Sequence, residues 1–234
     1  MALPFFYAEE LTTGTTQYVL NEETSKHVAQ VLRMAIGEQL QLTDGKGNLF
    51  TATIIDDNRK RCEVKIDTVQ QQPTPSKQIT IAISLVKNNT RFEWFLEKAT
   101  EIGVSEIIPL ICERTEKQSF RHDRMKNILV SAMLQSQQCW LPNLQEATKF
   151  LAFIKKSTGQ QKLIAHCEED TKQPIDQYIN QSTNQLICIG PEGDFSKEEI
   201  ALALKNDFMP VALGNTRLRT ETAGIVAATL LCVA

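Results

Sequence analysis

The pattern of apolar and polar positions predicts short β-strands in the first third of the chain. The segments Leu40–Thr43, Leu49–Ile55 and Cys62–Val69 are rich in β-branched residues and alternate in part, as half-buried strands do. Asp44–Gly47 lies between the first two and has the composition of a tight hairpin turn. Before the hairpin, Ser25–Arg33 places its apolar side chains on one helical face. These features predict a small β-barrel with one helix.

A polar segment with two prolines, Gln70–Lys77, follows these strands and is unsuited to a core. We place a domain boundary there, between residues 1–72 and residues 73–234. Beyond it, Ile79–Val86 is a continuous apolar run typical of a buried parallel strand, and Arg91–Ile102 is an amphipathic helix that Gly103 ends. Further strands are predicted at Glu106–Ile111, Lys162–Ala165, Leu186–Ile189 and Met209–Leu213, and further helices at Asp123–Cys139, from Ser196 onward and at Thr220–Val233. The alternation predicts an α/β domain with a mostly parallel sheet.

The composition limits the partners and the chemistry. The net charge is −3, so the chain lacks the basic excess usual in nucleic-acid-binding proteins, and any contact with RNA would depend on local clusters. The six cysteines form no CxxC pair, and the spacing of a zinc site is absent. The first residues lack the basic segment of a signal peptide, and no apolar stretch approaches membrane-spanning length. We therefore expect a cytoplasmic protein with reduced cysteines, no metal and no membrane association.

Two glycine-containing segments follow predicted strands of the second part. Gly190–Phe195 comes directly after Leu186–Ile189, and ligands in open α/β sheets bind at the carboxyl ends of strands. Glycines there let the backbone approach a ligand, although a plain strand-to-helix turn explains the spacing equally well. Leu213–Gly224 leads into the last helix and contains Arg219 near the helix N-terminus, where the dipole disfavours a cation. This position suggests an anionic partner for Arg219, or an ion pair with a nearby glutamate of the chain.

These segments, taken in order, resemble a known family. The strings that carry the likeness are Gly190–Gly193, Ser196–Ile200, Leu213–Gly214, Leu218–Ala223, Arg91–Val104, Pro109–Thr115 and Val31–Met34. Together they are similar to those of the small-subunit (16S) ribosomal RNA uridine-N3 methyltransferases of the SPOUT superfamily. The resemblance implies a PUA-like β-barrel that binds RNA, followed by an α/β SPOUT domain with a deep trefoil knot. It also implies a homodimer, with small-subunit ribosomal RNA or the assembled 30S subunit as the partner.

The resemblance implies that S-adenosylmethionine (SAM) binds in three loops after strands of the second domain. The cofactor-binding candidates are Ile164, Ala165, His166, Gly190, Pro191, Glu192, Gly193, Leu213, Gly214, Leu218, Thr220 and Ala223. The RNA-binding candidates are Arg33, Arg59, Lys60, Arg61 and Arg114, each of which is also typical of a solvated surface charge. Arg219 is the catalytic candidate, since its guanidinium could stabilise the anion that uracil becomes when N3 loses its proton. Glu221 is the candidate proton acceptor, with solvent as the alternative.

The chain departs from the family pattern at two places. A Gly-Arg pair commonly precedes the proline after the long helix, whereas this chain has Gln137–Leu141 before Pro142. Many members carry an arginine two residues after the Leu-Gly pair, whereas this chain has Thr216 there. The alternatives are a SPOUT methyltransferase that acts on another RNA, such as tRNA, and a non-catalytic ribosome-assembly factor with the same fold.

Overall fold

The computed structural model describes residues 3–157, 161–168, 172–179 and 181–233. The chain forms two compact units, and each is described here by itself. The first unit comprises Met1–Thr74 together with Met133–Leu141, and the second comprises Pro75–Ala132 together with Pro142–Ala234. The boundary between residues 72 and 73 stays a prediction, because the chain returns to the first unit at residues 133–141.

The first unit is built on a five-stranded sheet. Its strands are β1 (Phe5–Tyr7), β2 (Gln17–Val19), β3 (Gln39–Thr43), β4 (Asn48–Asp56) and β5 (Glu63–Gln71), in the order β1-β3-β4-β5-β2. β1 pairs with β3 in parallel, and the other pairs are antiparallel. The predicted hairpin is confirmed, since β3 and β4 pair directly across Asp44–Gly47. A core that includes the fully buried Phe50, Leu40 and Ile54 lies on one face of the sheet.

The helix predicted at Ser25–Arg33 begins earlier and is less regular than expected. The α-helix α1 covers Glu22–Lys26, and Asn21 caps it by accepting a hydrogen bond from the backbone N–H of Thr24 at 2.8 Å. A π-helical turn, His27–Val31, follows, and Arg33 then takes a left-handed conformation with φ of 55°. Periodicity alone indicates neither the widened turn nor the positive φ.

Residues 133–141 pack on the hairpin turn within the first unit. Gly47 donates its backbone N–H to the carbonyl of Cys139 at 2.8 Å, and the indole N–H of Trp140 donates to the carbonyl of Pro73 at 3.1 Å. A Cβ atom on Gly47 would collide with the ring of Trp140, so this turn requires glycine at that position. The segment that departs from the family pattern therefore has a structural role here.

The second unit contains one sheet in which every described strand pair is parallel. Its strands are β6 (Gln78–Ser84), β7 (Glu106–Ile111), β8 (Asn143–Leu144), β9 (Thr148–Lys149), β10 (Gln161–Ala165), β11 (Gln173–Pro174), β12 (Asn184–Ile189) and β13 (Met209–Ala212). The order is β11-β13-β10-β12-β6-β7-β8, and β9 also pairs with β7. The predicted α/β domain with a parallel sheet is confirmed, whereas the trefoil knot stays a prediction.

The helices of this part match the predicted ones in most places. They are α2 (Asn89–Ile102), α3 (His122–Gln135), α4 (Phe150–Lys156), α5 (Lys197–Lys205) and α6 (Thr220–Val233). Gly103 ends α2 in a left-handed conformation, as predicted. The expected end of the long helix at Cys139 was wrong, because α3 ends at Gln135 and Gln137 has φ of 55°. No helix of the described residues is long and apolar enough to cross a membrane.

The first prediction concerns the contact between α6 and the helix and strand beneath it. A Cβ atom on Gly224 would lie 2.6 Å from the ring of Phe95 and 2.8 Å from Cδ1 of Ile83, both of which are fully buried. Because overpacking of a filled core costs about 1–3 kcal/mol, Gly224→Val should lower the free energy of unfolding by that amount. Denaturant unfolding measures it. Thr229→Val, at an exposed position of the same helix, should stay within about 0.5 kcal/mol of the original chain, and equal stability of the two variants would contradict the packing.

Candidate functional site

A cavity of about 630 Å³ lies at the carboxyl ends of β10, β12 and β13. Three loops that follow these strands line it: the first loop, residues 166–168, the second loop, residues 190–195, and the third loop, residues 213–219. The start of α6 completes the wall with Thr220 and Ala223. The volume is within the range of about 300–1,000 Å³ that is usual for small-molecule sites.

The cavity brings together most of the predicted cofactor-binding residues. Those that line it are Ala165, His166, Gly190, Pro191, Glu192, Leu213, Gly214, Leu218, Thr220 and Ala223. Ile164 is fully buried in β10 and does not line the cavity, and Gly193 lies against Arg114 outside the lining. Sequence reasoning missed Cys167, Lys172, Asp194 and Arg217, which also line it. Of these, Asp194 and Arg217 lie inside the two glycine-containing segments that the sequence singles out, Gly190–Phe195 and Leu213–Gly224, so proximity in the sequence was the available signal.

The second loop is held on both sides of its turn by hydrogen bonds to its backbone and side chains. Arg114 donates from Nη1 to the carbonyl of Gly193 at 2.7 Å and to that of Phe195 at 3.4 Å. Glu192 accepts a hydrogen bond from the backbone N–H of Lys87 at 3.1 Å. Arg114, which the sequence suggested as an RNA-binding residue, therefore braces the second loop with its guanidinium.

Helix α5 begins with the capping box that the sequence predicts. The hydroxyl of Ser196 accepts from the backbone N–H of Glu199 at 3.3 Å, and the Glu199 carboxylate accepts from the backbone N–H of Ser196 at 3.0 Å. The other oxygen of the same carboxylate accepts from the backbone N–H of Glu113 at 2.9 Å. The end of the second loop is thus tied to the segment that follows β7.

Asp194 connects the second loop to the first. One carboxylate oxygen accepts a hydrogen bond from the backbone N–H of Cys167 at 2.7 Å, and the other accepts from the backbone N–H of Phe195 at 2.8 Å. Asp194 has φ of 65°, a conformation that aspartate and asparagine tolerate better than most residues with a Cβ atom. The next residue, Phe195, is fully buried and packs on Phe150 with ring centroids 4.9 Å apart.

The structure separates the two catalytic candidates. Arg219 is exposed, lines the cavity and forms no ion pair with a carboxylate of the described residues. Glu221 is buried and outside the cavity lining, and its Oε1 lies 3.6 Å from Nε of Arg91 on α2. The alternative ion pair of Arg219 with Glu221 or Glu192 is therefore absent among the described residues.

The remaining RNA-binding candidates belong to the first unit. Arg33, Arg59, Lys60 and Arg61 are all exposed. Arg59, Lys60 and Arg61 lie in the turn between β4 and β5, where their side chains are open to solvent. Their role in binding RNA stays a prediction.

The buried cysteines of the second unit are poor nucleophiles. Burial raises the pKa of Cys112 to about 12 and raises that of Cys188 well above its usual value. Because the thiolate is the reactive form of cysteine, both thiols remain protonated and act as small apolar core residues. These two side chains are therefore poorly suited to act as nucleophiles.

Comparison with known proteins assigns the family. Residues 72–232, well over half of the chain, match the family of RNA methyltransferase domains. The chain belongs to this RNA methyltransferase family. Residues 20–67 match the RNA methyltransferase PUA domain, so the expected PUA-like domain before the α/β methyltransferase domain is confirmed.

Relatives of this RNA methyltransferase include both curated sequences and solved structures. The ribosomal RNA small subunit methyltransferase E of Synechocystis is 31% identical over 86% of this chain and 68% of its own length. A methyltransferase of Legionella pneumophila, solved with bound SAM, is 32% identical with a TM-score of 0.87 over 99% of this chain and 97% of its own. The small subunit methyltransferase E of Neisseria gonorrhoeae, also bound to SAM, is 28% identical with a TM-score of 0.85 over 97% and 96%.

The two glycines of the second loop provide a matched test of the cavity wall. A Cβ atom on Gly190 would lie 3.1 Å and 3.2 Å from the ring of Phe195, whereas one on Gly193 would make ordinary contacts with Arg114 at 3.4 Å and 3.5 Å. Because Phe195 is fully buried and cannot move away, Gly190→Ala should displace the second loop. The affinity of the cavity for its ligand should then fall about tenfold or more, which corresponds to roughly 1.4 kcal/mol of binding free energy. Calorimetric titration with SAM measures this.

Gly193→Ala is the control and should bind SAM within about twofold of the original chain, since its Cβ atom would make only ordinary van der Waals contacts with Arg114. Equal loss of affinity in both variants would show that Gly193 itself approaches the ligand.

Proposed function

We propose that this protein transfers a methyl group from SAM to N3 of a specific uridine in small-subunit (16S) ribosomal RNA. The observation that carries the proposal is the cavity formed by the three loops in a chain of the RNA methyltransferase family. The names of its relatives support the ribosomal substrate, and the resemblance of the strings around Gly190 and Leu218 supports uridine N3.

The lining of the cavity fits SAM chemically. Apolar residues, among them Ile189, Val211 and Leu218, suit an adenine ring, and the lining also carries charged side chains of both signs, which suit the zwitterionic methionine part of SAM. When bound, SAM supplies an activated methyl group on a positively charged sulfur. No described group of three or more His, Cys, Asp and Glu side chains could hold a metal ion, and none enters the proposed reaction.

Arg219 is the residue that we propose to stabilise the reacting base. N3 of uracil carries a proton at neutral pH and must lose it before or during attack on the methyl group. The resulting negative charge spreads to O2 and O4, where a guanidinium can donate paired hydrogen bonds. Arg219 is exposed in the cavity wall and unpaired with described carboxylates, so its guanidinium is available for this contact.

The proposed proton acceptor is solvent. Glu221 lies close to Arg91 and outside the cavity lining, so it would need to change its position to accept a proton from a base in the cavity. We propose instead that Glu221 holds α6 against α2. Under this proposal the chain contributes charge stabilisation by Arg219 and alignment of the reacting atoms by the three loops.

The experiment that tests the function uses labelled SAM with three substrates. Free 16S ribosomal RNA, 30S subunits that lack the modification and transfer RNA are each incubated with the protein, and the RNA is digested and its nucleosides identified. The proposal predicts label in 3-methyluridine. Label in transfer RNA alone would favour the alternative RNA substrate, and SAM binding without transfer to any RNA would favour a non-catalytic assembly factor.

Arg219→Ala separates catalysis from binding. Because the guanidinium acts on the uracil anion and SAM is itself cationic, the variant should lose about two to three decades of turnover while its affinity for SAM changes little. Arg219→Lys should recover little, since one ammonium cannot reproduce the planar pair of donors. Single-turnover kinetics and SAM titration measure the two effects.

Glu221→Gln is the contrasting variant. Losing the charge opposite Arg91 should lower the melting temperature while leaving most of the turnover of the folded protein. Near-normal turnover of Arg219→Ala would overturn the assignment of roles. The assignment would also fail if Glu221→Gln lost as much turnover as is expected for Arg219→Ala.

We also propose a homodimer in the cytoplasm, where ribosomal RNA is modified. Along α6, Ile225, Val226 and Leu230 are only half-buried in the single chain and Val233 is 70% exposed, which leaves apolar surface for a second copy. Light scattering at micromolar concentration should give twice the mass of one chain. Leu230→Arg should shift the mass towards that of one chain, and a monomeric original chain would contradict the proposal.

A further inference from the structure

The first loop is held from two sides by side chains that line the cavity. On one side, the carboxylate of Asp194 accepts the backbone N–H of Cys167 at 2.7 Å. On the other side, Nζ of Lys172 donates to the carbonyls of His166 at 2.9 Å and Glu168 at 2.7 Å. These contacts fix the N–H of Cys167 and the carbonyls of His166 and Glu168, and so hold the backbone of this short segment in a defined orientation.

Asp194 is itself held in a rigid frame. Its backbone N–H donates to the carbonyl of Pro191 at 2.9 Å, which closes a turn. Arg114 binds the carbonyls of Gly193 and Phe195, the two residues adjacent to Asp194. The Phe195 side chain is buried, and the Asp194 carboxylate also accepts the Phe195 N–H at 2.8 Å. The carboxylate therefore has little freedom to leave Cys167.

The backbone of Asp194 supports a specific role. A φ of 65° is costly for most residues with a Cβ atom, and such conformations persist where the surrounding structure fixes them, often near binding sites. Glycine would remove the strain, but it would also remove both acceptors that the carboxylate provides.

We propose that Asp194 is a positioning residue for the cofactor: its carboxylate ties the first loop to the second and thereby sets the affinity of the cavity for SAM and its demethylated product, S-adenosylhomocysteine. This inference rests on the proposed function only in naming SAM as the ligand. The role is positional because both carboxylate oxygens already accept backbone N–H groups. The ligand should therefore respond to the shape of the loop more than to the charge of Asp194.

The test is calorimetric titration of Asp194→Gly and Asp194→Asn with SAM and with S-adenosylhomocysteine. Asp194→Gly keeps the positive φ without strain and loses both acceptors, so both ligands should bind about ten- to a hundredfold more weakly. Asp194→Asn keeps one acceptor oxygen, and asparagine also tolerates the left-handed conformation. This variant should therefore bind both ligands only roughly two- to tenfold more weakly. In turnover assays the KM for SAM should rise more than kcat falls.

Asp207 is a matched control in the same unit. It has φ of 63°, is exposed and does not line the cavity. Asp207→Gly removes a carboxylate from the same backbone conformation and should leave the affinity for both ligands unchanged. Thermal melts of all variants separate loss of binding from loss of folding, since Asp194→Gly should remain folded at the titration temperature.

Three results would overturn the inference. Unchanged affinities in Asp194→Gly would show that the first loop does not need the carboxylate. Loss of SAM binding with retained S-adenosylhomocysteine binding would show that the carboxylate acts by its charge on the sulfonium. An equal loss of ligand affinity in Asp207→Gly would show that removing any aspartate with a positive φ has this effect. An original chain that binds neither ligand would instead overturn the proposed function, and this inference with it.

Discussion

Three strands that are distant in the sequence end side by side, because β10 pairs in parallel register with both β12 and β13. Parallel pairing brings the carboxyl ends of all three to the same edge of the sheet, and the loops that follow must meet there. The cavity is a consequence of this pairing, and its lining residues come from segments as far apart along the chain as Ala165 and Ala223. Polar contacts between the loops, above all those of Asp194 and Arg114, then give the edge a defined shape.

The division of roles between neighbouring residues follows from burial. Arg219 lies two positions from Glu221, yet the arginine is exposed in the cavity wall while the glutamate is buried near Arg91. A cation that stays in the wall without a carboxylate partner retains its capacity to bind a developing anion, whereas a partnered buried carboxylate contributes to packing. For this reason we propose that Arg219 stabilises the charge and that solvent accepts the proton.

Much of the fold could be predicted from the sequence, because strong local signals act in the same direction as the tertiary structure. The strand Glu106–Ile111, the helix end at Gly103 and the capping box of Ser196 and Glu199 are all confirmed. The sequence did not predict α4, since seven residues span less than two turns and give a weak periodic signal. Nor did it predict the return of residues 133–141 to the first unit, because contacts such as that of Trp140 with Gly47 join positions distant in the sequence. The role of Asp194 was missed for the same reason, since it depends on Cys167 in another loop. Lys172 was missed although its partners His166 and Glu168 are near in the sequence, because a lysine in a connecting segment gives no sign of which groups its ammonium binds.

The central claim, that the three loops at the carboxyl edge form the cofactor site, is tested most directly by hydrogen–deuterium exchange with and without S-adenosylhomocysteine. We expect the ligand to slow exchange of backbone amides in residues 166–168, 190–195 and 213–219, and to leave exchange in the rest of the second unit largely unchanged. A second cavity of about 430 Å³ beside α4, lined by residues such as Ile108 and Phe153, offers the clearest alternative. Protection confined to that region, or protection of none of the three loops at saturating ligand, would contradict the account.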